Sequence, residues 1–140
     1  VIPSGSMIPT MKIGDRLFVN KMAYYWNTPD RGDIVVFNSV EDSDIKEVVK
    51  RCIGLPGDTV EIQRGVVYVN DEVLVLPGVA IRRDYYFMDK ITVKPGEYFM
   101  LGDNRAYSKD SRFWGGVPQD NVLGEAWYTF WPFSRMQLLH

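Results

Sequence analysis

Apolar positions along the chain recur at two-residue spacing or in short continuous runs, and seldom at the three-to-four-residue spacing of a helix. Segments 17–19, 34–37, 48–53, 60–62, 66–69, 73–76, 98–101 and 122–130 are rich in β-branched and aromatic residues, which suit a pleated, half-buried surface. Turn formers punctuate them: Gly14-Asp15, Arg31-Gly32-Asp33, Pro56-Gly57-Asp58, Arg64-Gly65, Asn70-Asp71 and Pro95-Gly96. From 58 to 76 the spacing predicts a three-strand meander. No window of about eleven residues keeps a helical stripe, so helix is expected only as a turn or two, after Pro9 and near Pro118. The pattern predicts one mostly β domain over residues 1–140, built of coiled, largely antiparallel, barrel-like sheets without internal repeat.

Composition agrees with a cored domain: 46% of the 140 residues are hydrophobic and 14% aromatic, too apolar for a disordered chain. A net charge of -2 without a basic stripe argues against nucleic acid as a partner. No apolar run approaches the roughly 18 residues of a membrane-spanning helix. The acidic run Glu41-Asp42-Ser43-Asp44 has neither the spacing nor the glycine of a calcium loop, and reads as a solvated hairpin tip.

The rarest residues narrow the chemistry. The single cysteine, Cys52, excludes an intrachain disulfide and a Cys-rich zinc site, and the single histidine, His140, is the terminal residue. No metal and no cofactor is expected, and a Ser-His-Asp or Cys-His hydrolase has no usable imidazole. A hydrolase built from this chain therefore needs another base. Of seven lysines, only Lys50 lies inside a continuous apolar strand, where the two-residue period sets it between Val48 and Cys52 on one face. Two readings are open: a lysine whose stem packs while its ammonium reaches water, or a desolvated, neutral general base. Cys52 fits a small core residue better than a nucleophile, because a thiolate requires a cationic or imidazole neighbour.

Two further segments carry polar groups at informative spacing. Pro3-Ser4-Gly5-Ser6-Met7-Ile8-Pro9-Thr10 sets two serines around a glycine between stiffening prolines, either an ordinary turn or a place where amide and hydroxyl donors meet an oxyanion. It lacks the Gly-x-Ser-x-Gly of an α/β-hydrolase elbow. Residues 102–112 form a loop dense in turn formers and charge, with an Asp-Arg pair, and such a loop can also present a hydroxyl to a buried amine.

Four segments taken together, SGSMIPT at 4–10, RGDIVVF at 31–37, VVKRCIGLPGD at 48–58 and GDNRAYSKDSRFWG at 102–115, resemble the bacterial type I signal peptidases. They hold about 39 residues, in the order that family has them. The resemblance implies a serine endopeptidase that removes signal peptides from exported preproteins, cutting after small residues of Ala-x-Ala type. It implies Ser6 as nucleophile and Lys50 as general base, the Ser6 amide and Ser4 hydroxyl as oxyanion hole, and Ser108 as the group that orients Lys50. Arg51, Asp103, Asp110 and Arg112 match the charged residues that brace the site. The substrate is expected to add as a strand between Ile2-Pro3 and Val48-Val49, with Met7 and Met11 narrowing the pockets. The resemblance further implies a membrane anchor ahead of residue 1, a lipid surface as partner, and a catalytic domain on the extracytoplasmic face.

Two other functions compete. A self-cleaving repressor also pairs serine with lysine, but an internal scissile peptide and a DNA-binding domain are not visible here. A non-catalytic β module would capture extended peptides with Ser6 and Lys50 in structural roles. The aromatic clusters Tyr24-Tyr25-Trp26 and Phe130-Trp131-Pro132-Phe133 suit a lipid interface or a core, and at least one of them is expected to be exposed near Ser6.

Overall fold

The computed structural model of the chain describes residues 6–7, 16–41, 46–131 and 137–138. Eleven strands are present among them: β1 (Arg16–Asn20), β2 (Ile34–Asn38), β3 (Glu47–Gly54), β4 (Thr59–Gln63), β5 (Val66–Val69), β6 (Glu72–Val73), β7 (Met88–Thr92), β8 (Glu97–Leu101), β9 (Val117–Pro118), β10 (Val122–Trp131) and β11 (Gln137–Leu138). They form two sheets, one ordered β1-β10-β2-β3-β8-β9 with β11 beside β10, the other β6-β5-β4-β7. All the strand pairings are antiparallel. This is the mostly β, antiparallel architecture that the apolar pattern predicts.

β2 is a continuous apolar run because both its faces are covered. Ile34 and Val36 join one buried cluster, with Met7, Val49 and Ala126, while Val35 and Phe37 join another, with Val48, Cys52, Tyr98, Met100 and Val117. A third cluster fastens the two sheets together: Ile53, Phe99 and Leu101 of the larger pack against Val60, Ile62, Val67 and Val69 of the smaller. At that junction Gly54 admits no side chain, since a Cβ there would lie 2.9 Å from Val60 and 3.0 Å from both Phe99 and Val93.

The meander is β4-β5-β6. Its turns are two-residue loops whose central residues take positive φ, Arg64 (50°) with Gly65 (78°), and Asn70 (52°) with Asp71 (68°); this is the backbone that tight hairpins require. Several details differ from the sequence expectation, the short strands β9 and β11 among them. The strand expected at 73–76 pairs only at Glu72–Val73, after which the chain leaves the sheet. Strand β7 was not expected, because Met-Asp-Lys-Ile-Thr lacks an apolar face; it is an edge strand, exposed along most of its length. A short helix, α1 (Ser111–Trp114), forms because Asp110 caps it by accepting from the Arg112 amide. The turn expected near Pro118 is a 3-10 turn, Gln119–Asn121, and the one expected after Pro9 lies outside the described residues.

Candidate active site

Lys50 sits in the middle of the larger sheet, across from Val35 of β2 and flanked on its own face by Val48 and Cys52. Its side chain does not reach water: the residue is only 4% exposed. Burial is the main influence on its amine, pulling the pKa from 10.5 down to about 8; Asp110 opposes this shift and Arg112 reinforces it. Of the two readings open in the sequence, the structure thus selects the desolvated lysine.

The amine has a defined partner. Lys50 Nζ donates to Ser108 Oγ at 3.1 Å, and Ser108 Oγ donates to Asp110 Oδ2 at 2.8 Å. With its own proton committed to Asp110, the serine oxygen can only accept from the amine. That contact fixes the lysine rotamer and leaves the nitrogen lone pair directed elsewhere.

Asp110 is the centre of the loop. Its oxygens accept from Ser108 Oγ, from the Gly102 amide at 3.1 Å, from the Arg112 amide at 3.2 Å and from Arg112 Nε at 2.8 Å. The Arg112 guanidinium, its side chain 1% exposed, also pairs with Asp84 and donates to the carbonyls of Arg105 and Ser108. It stacks on Tyr86 and Phe113 as well. Residues 105–112 therefore wrap around one buried cation.

On the opposite face of β3, Arg51 clamps the start of the same loop. Its Nε and Nη2 donate to the two oxygens of Asp103 at 3.0 and 2.8 Å, and Nη1 donates to the Gly32 carbonyl at 2.7 Å. Both side chains of the ion pair are 1% exposed, so each charge depends on the other for its solvation.

Gly102 joins these parts. In the β3-β8 register Arg51 faces Leu101, and the next position sets Gly102 across from Lys50. A Cβ at Gly102 would fall inside the Ser108 hydroxyl and 2.7 Å from the Ser6 carbonyl oxygen. The missing side chain is thus the space in which Ser108 reaches Lys50 and the Ser6 segment runs alongside. Ser6, 5% exposed, is held there by its carbonyl, which accepts from the Asn104 amide at 2.7 Å. Met7 is anchored next to it, its Sδ accepting from the Asp103 amide at 3.4 Å and its side chain packed with Ile34, Val36 and Val49.

The structure therefore brings together Ser6, Met7, Lys50, Arg51, Asp103, Ser108, Asp110 and Arg112. Val48 and Val49 lie in β3 on alternate faces, Val49 in the cluster of Met7. Ile2, Pro3, Ser4 and Met11 lie outside the described residues. Sequence reasoning missed Gly102, Asn104 and Arg105 as individual residues. Gly102 contributes an absent side chain and Asn104 a backbone amide, neither of which residue chemistry flags; Arg105 is buried, its Nε donating to the Gly102 carbonyl at 2.8 Å.

Cys52 is fully buried and its thiol is pushed up to about 12 by burial and Asp33, as befits a core residue. Tyr25 and Trp26 are 69% and 88% exposed, whereas Tyr24 is half-buried with its hydroxyl donating to Asp33. Phe130 and Trp131 belong to β10, but their side chains, and Pro132 and Phe133, lie outside what the structure describes. Among the described residues no helix is long and apolar enough to cross a membrane, and no group of three His, Cys, Asp or Glu is placed to hold a metal.

A serine segment, a desolvated lysine and the Ser108 hydroxyl thus meet on one β scaffold, and comparison with known proteins shows which family carries that scaffold. The family described as signal peptidase, peptidase S26, matches residues 1–131. "Probable signal peptidase I-2" of Synechocystis sp. is 44% identical over 99% of this chain and 65% of its own length. Signal peptidase I of Leptolyngbya laminosa is 42% identical over 96% of this chain and 69% of its own. The crystal structure of a signal peptidase I from Enterococcus faecalis V583 superposes with a TM-score of 0.60 at 36% identity, covering 71% of this chain and 97% of that one. The chain belongs to the signal peptidase S26 family. It spans about two-thirds of the length of the curated relatives it matches.

Proposed function

We propose that this chain is the catalytic unit of a serine endopeptidase that removes signal peptides from preproteins, with Ser6 as nucleophile and Lys50 as general base. The observation that carries the reading is the buried Lys50 amine, held by Ser108 and Asp110 beside the Ser6 segment. Neutral Lys50 takes the Ser6 hydroxyl proton as Ser6 Oγ bonds to the scissile carbonyl carbon. The developing oxyanion is met by the Ser6 amide and the Ser4 hydroxyl. As the C–N bond breaks, Lys50 returns the proton to the leaving nitrogen; it then deprotonates a water that attacks the acyl-serine, and finally restores the proton to Ser6 Oγ.

A free edge supports the proposed substrate placement. β3 pairs with β8 only from Arg51 onward, so the Val48-Val49 edge facing β8 has no partner among the described strands. In this reading an extended peptide adds by backbone hydrogen bonds between Val48-Val49 and Ile2-Pro3, its alternate side chains entering shallow pockets narrowed by Met7 and Met11. That arrangement favours cleavage after Ala-x-Ala in an unwound segment. The membrane surface on the extracytoplasmic side is the setting, and exposed Tyr25 and Trp26 suit its interface.

The test is cleavage of a peptide carrying Ala-x-Ala before the cut, with detergent or lipid present, by the parent chain and by Ser6→Ala and Lys50→Ala. Each substitution is expected to lower kcat by roughly four orders of magnitude or more, and acid quenching is expected to trap an acyl adduct on Ser6 only in the parent. Cleavage that survives either substitution overturns the dyad; a parent that binds the peptide without cleaving it is a binding module.

A further inference from the structure

Beside the active-site loop lies a cavity of about 480 Å³, between the smaller sheet and the chain that follows it. That is within the range of sites that hold small molecules. Its walls are largely aliphatic, with Val67, Leu74, Leu76 and Ile81 among them. Its charged lining residues are both cationic: Arg105 and Arg83. Arg105 is 4% exposed, yet only its Nε is spent on a backbone acceptor, the Gly102 carbonyl, while its guanidinium borders the cavity. Arg83 sits at the opening, its stem against Gly65.

The rim is unusual in its own right. The alternating stretch Val73-Leu74-Val75-Leu76 leaves the sheet after Val73, and Val73 and Val75 remain 52% and 72% exposed beside the opening. An apolar wall, an apolar rim and two cations together fit a molecule with an aliphatic chain and one anionic end. Arg105 feels Asp103, Asp110 and Asp84 from outside the cavity, but the lining itself holds two cations and no carboxylate. A neutral hydrocarbon would therefore leave the cavity's positive end unmatched, and a small inorganic anion would leave the aliphatic walls uncovered.

We propose that this cavity binds a single-chain anionic amphiphile, a long-chain carboxylate or the corresponding alkyl phosphate, with the anion on Arg105 and Arg83 and the chain along Val67, Leu74 and Leu76. Arg105 also holds the Gly102 carbonyl of the active-site loop, but the site uses neither Ser6 nor Lys50, so it stands or falls independently of the peptidase reading.

The experiment measures binding, on the Ser6→Ala full chain. Fluorescence of cis-parinarate, a conjugated long-chain carboxylate, is expected to rise saturably on addition of protein, and dodecanoate and dodecyl phosphate to displace it. Arg83→Gln is expected to weaken both by at least about tenfold, the loss of one charge-assisted contact. Arg105→Gln should do the same, and because Arg83 is exposed its variant tests the site even if the Arg105 variant does not fold. Dodecanol that competes as well as dodecanoate, inorganic phosphate that competes as well as dodecyl phosphate, or binding unaltered by Arg83→Gln each overturn the proposal, as does a failure of cis-parinarate to bind.

Discussion

Lys50 makes one chemical quantity testable in two independent ways. With a pKa of about 8, roughly 9% of the amine is neutral at pH 7, against about 0.03% at the ordinary 10.5, so burial raises the concentration of the free base by about 300-fold. The rate limb follows: kcat/KM on an Ala-x-Ala peptide should climb tenfold per pH unit up to about pH 8 and level off above it. Its position should respond to the two charges that face the amine, in opposite directions. Asp110 raises the lysine pKa and Arg112 lowers it, so Asp110→Asn should move the limb to lower pH and Arg112→Gln to higher pH, each by about one pH unit. The second readout is stability. Between about pH 8 and 10.5 the unfolded chain holds a proton on Lys50 that the folded chain has released, so this residue's contribution makes stability rise with pH across that window. Below pH 8 the folded state carries the full cost of burying an ammonium, about 3 kcal/mol, and Lys50→Met should be more stable than the parent by up to that amount at pH 6.5. The advantage should disappear above pH 10.5, as measured by urea unfolding at each pH. A rate limb near pH 6.5 that moves on His140→Ala, or a Lys50→Met variant no more stable than the parent at low pH, would refute the desolvated base.

Other perturbations probe the scaffold. Gly102→Ala places a methyl group in the Ser108 hydroxyl and against the Ser6 carbonyl; kcat should fall by at least about a hundredfold, the cost of a misplaced catalytic group, with the far-UV spectrum retained. Asp103→Leu leaves Arg51 buried without its counter-charge and should cost about 3–5 kcal/mol by urea unfolding; adding Arg51→Leu should recover much of it, and a double variant no better than the single would contradict the clamp. Cys52, with its thiol pushed up to about 12 and no exposure, should react with a thiol reagent at pH 8 only as the protein unfolds, and rapid labelling in native buffer would count against the assigned burial.

The strand scaffold was legible because its signals are local. The two faces of β2 and β3, the meander and its tight turns are written in two-residue spacing and in Arg-Gly and Asn-Asp pairs. Lys50 stood out as the lysine inside a continuous apolar strand, although the strand alone left a water-reaching ammonium open, and the base role came from the resemblance. What remained hidden was either exposed or defined by absence. β7 is an edge strand whose charged residues face water, so no periodicity marks it, and the alternating 73–76 segment looks like a strand but lines a cavity rim. Gly102 acts through a side chain it does not have, a role that appears only when β3 and β8 are set in register and the Ser6 segment is laid against them.

The parts of the site come from segments far apart along the chain: Lys50 meets Ser108 across 58 positions, Arg51 meets Asp103 across 52, and Met7 meets Asp103 across 96. Closing such loops is entropically costly and comes with the completed fold. Until then Lys50 is an ordinary solvated ammonium, and the serine beside it an ordinary alcohol. A chain of this design is born harmless: the chemistry proposed for it arrives only with the last contacts, so it cannot cut itself or its neighbours while it is being made.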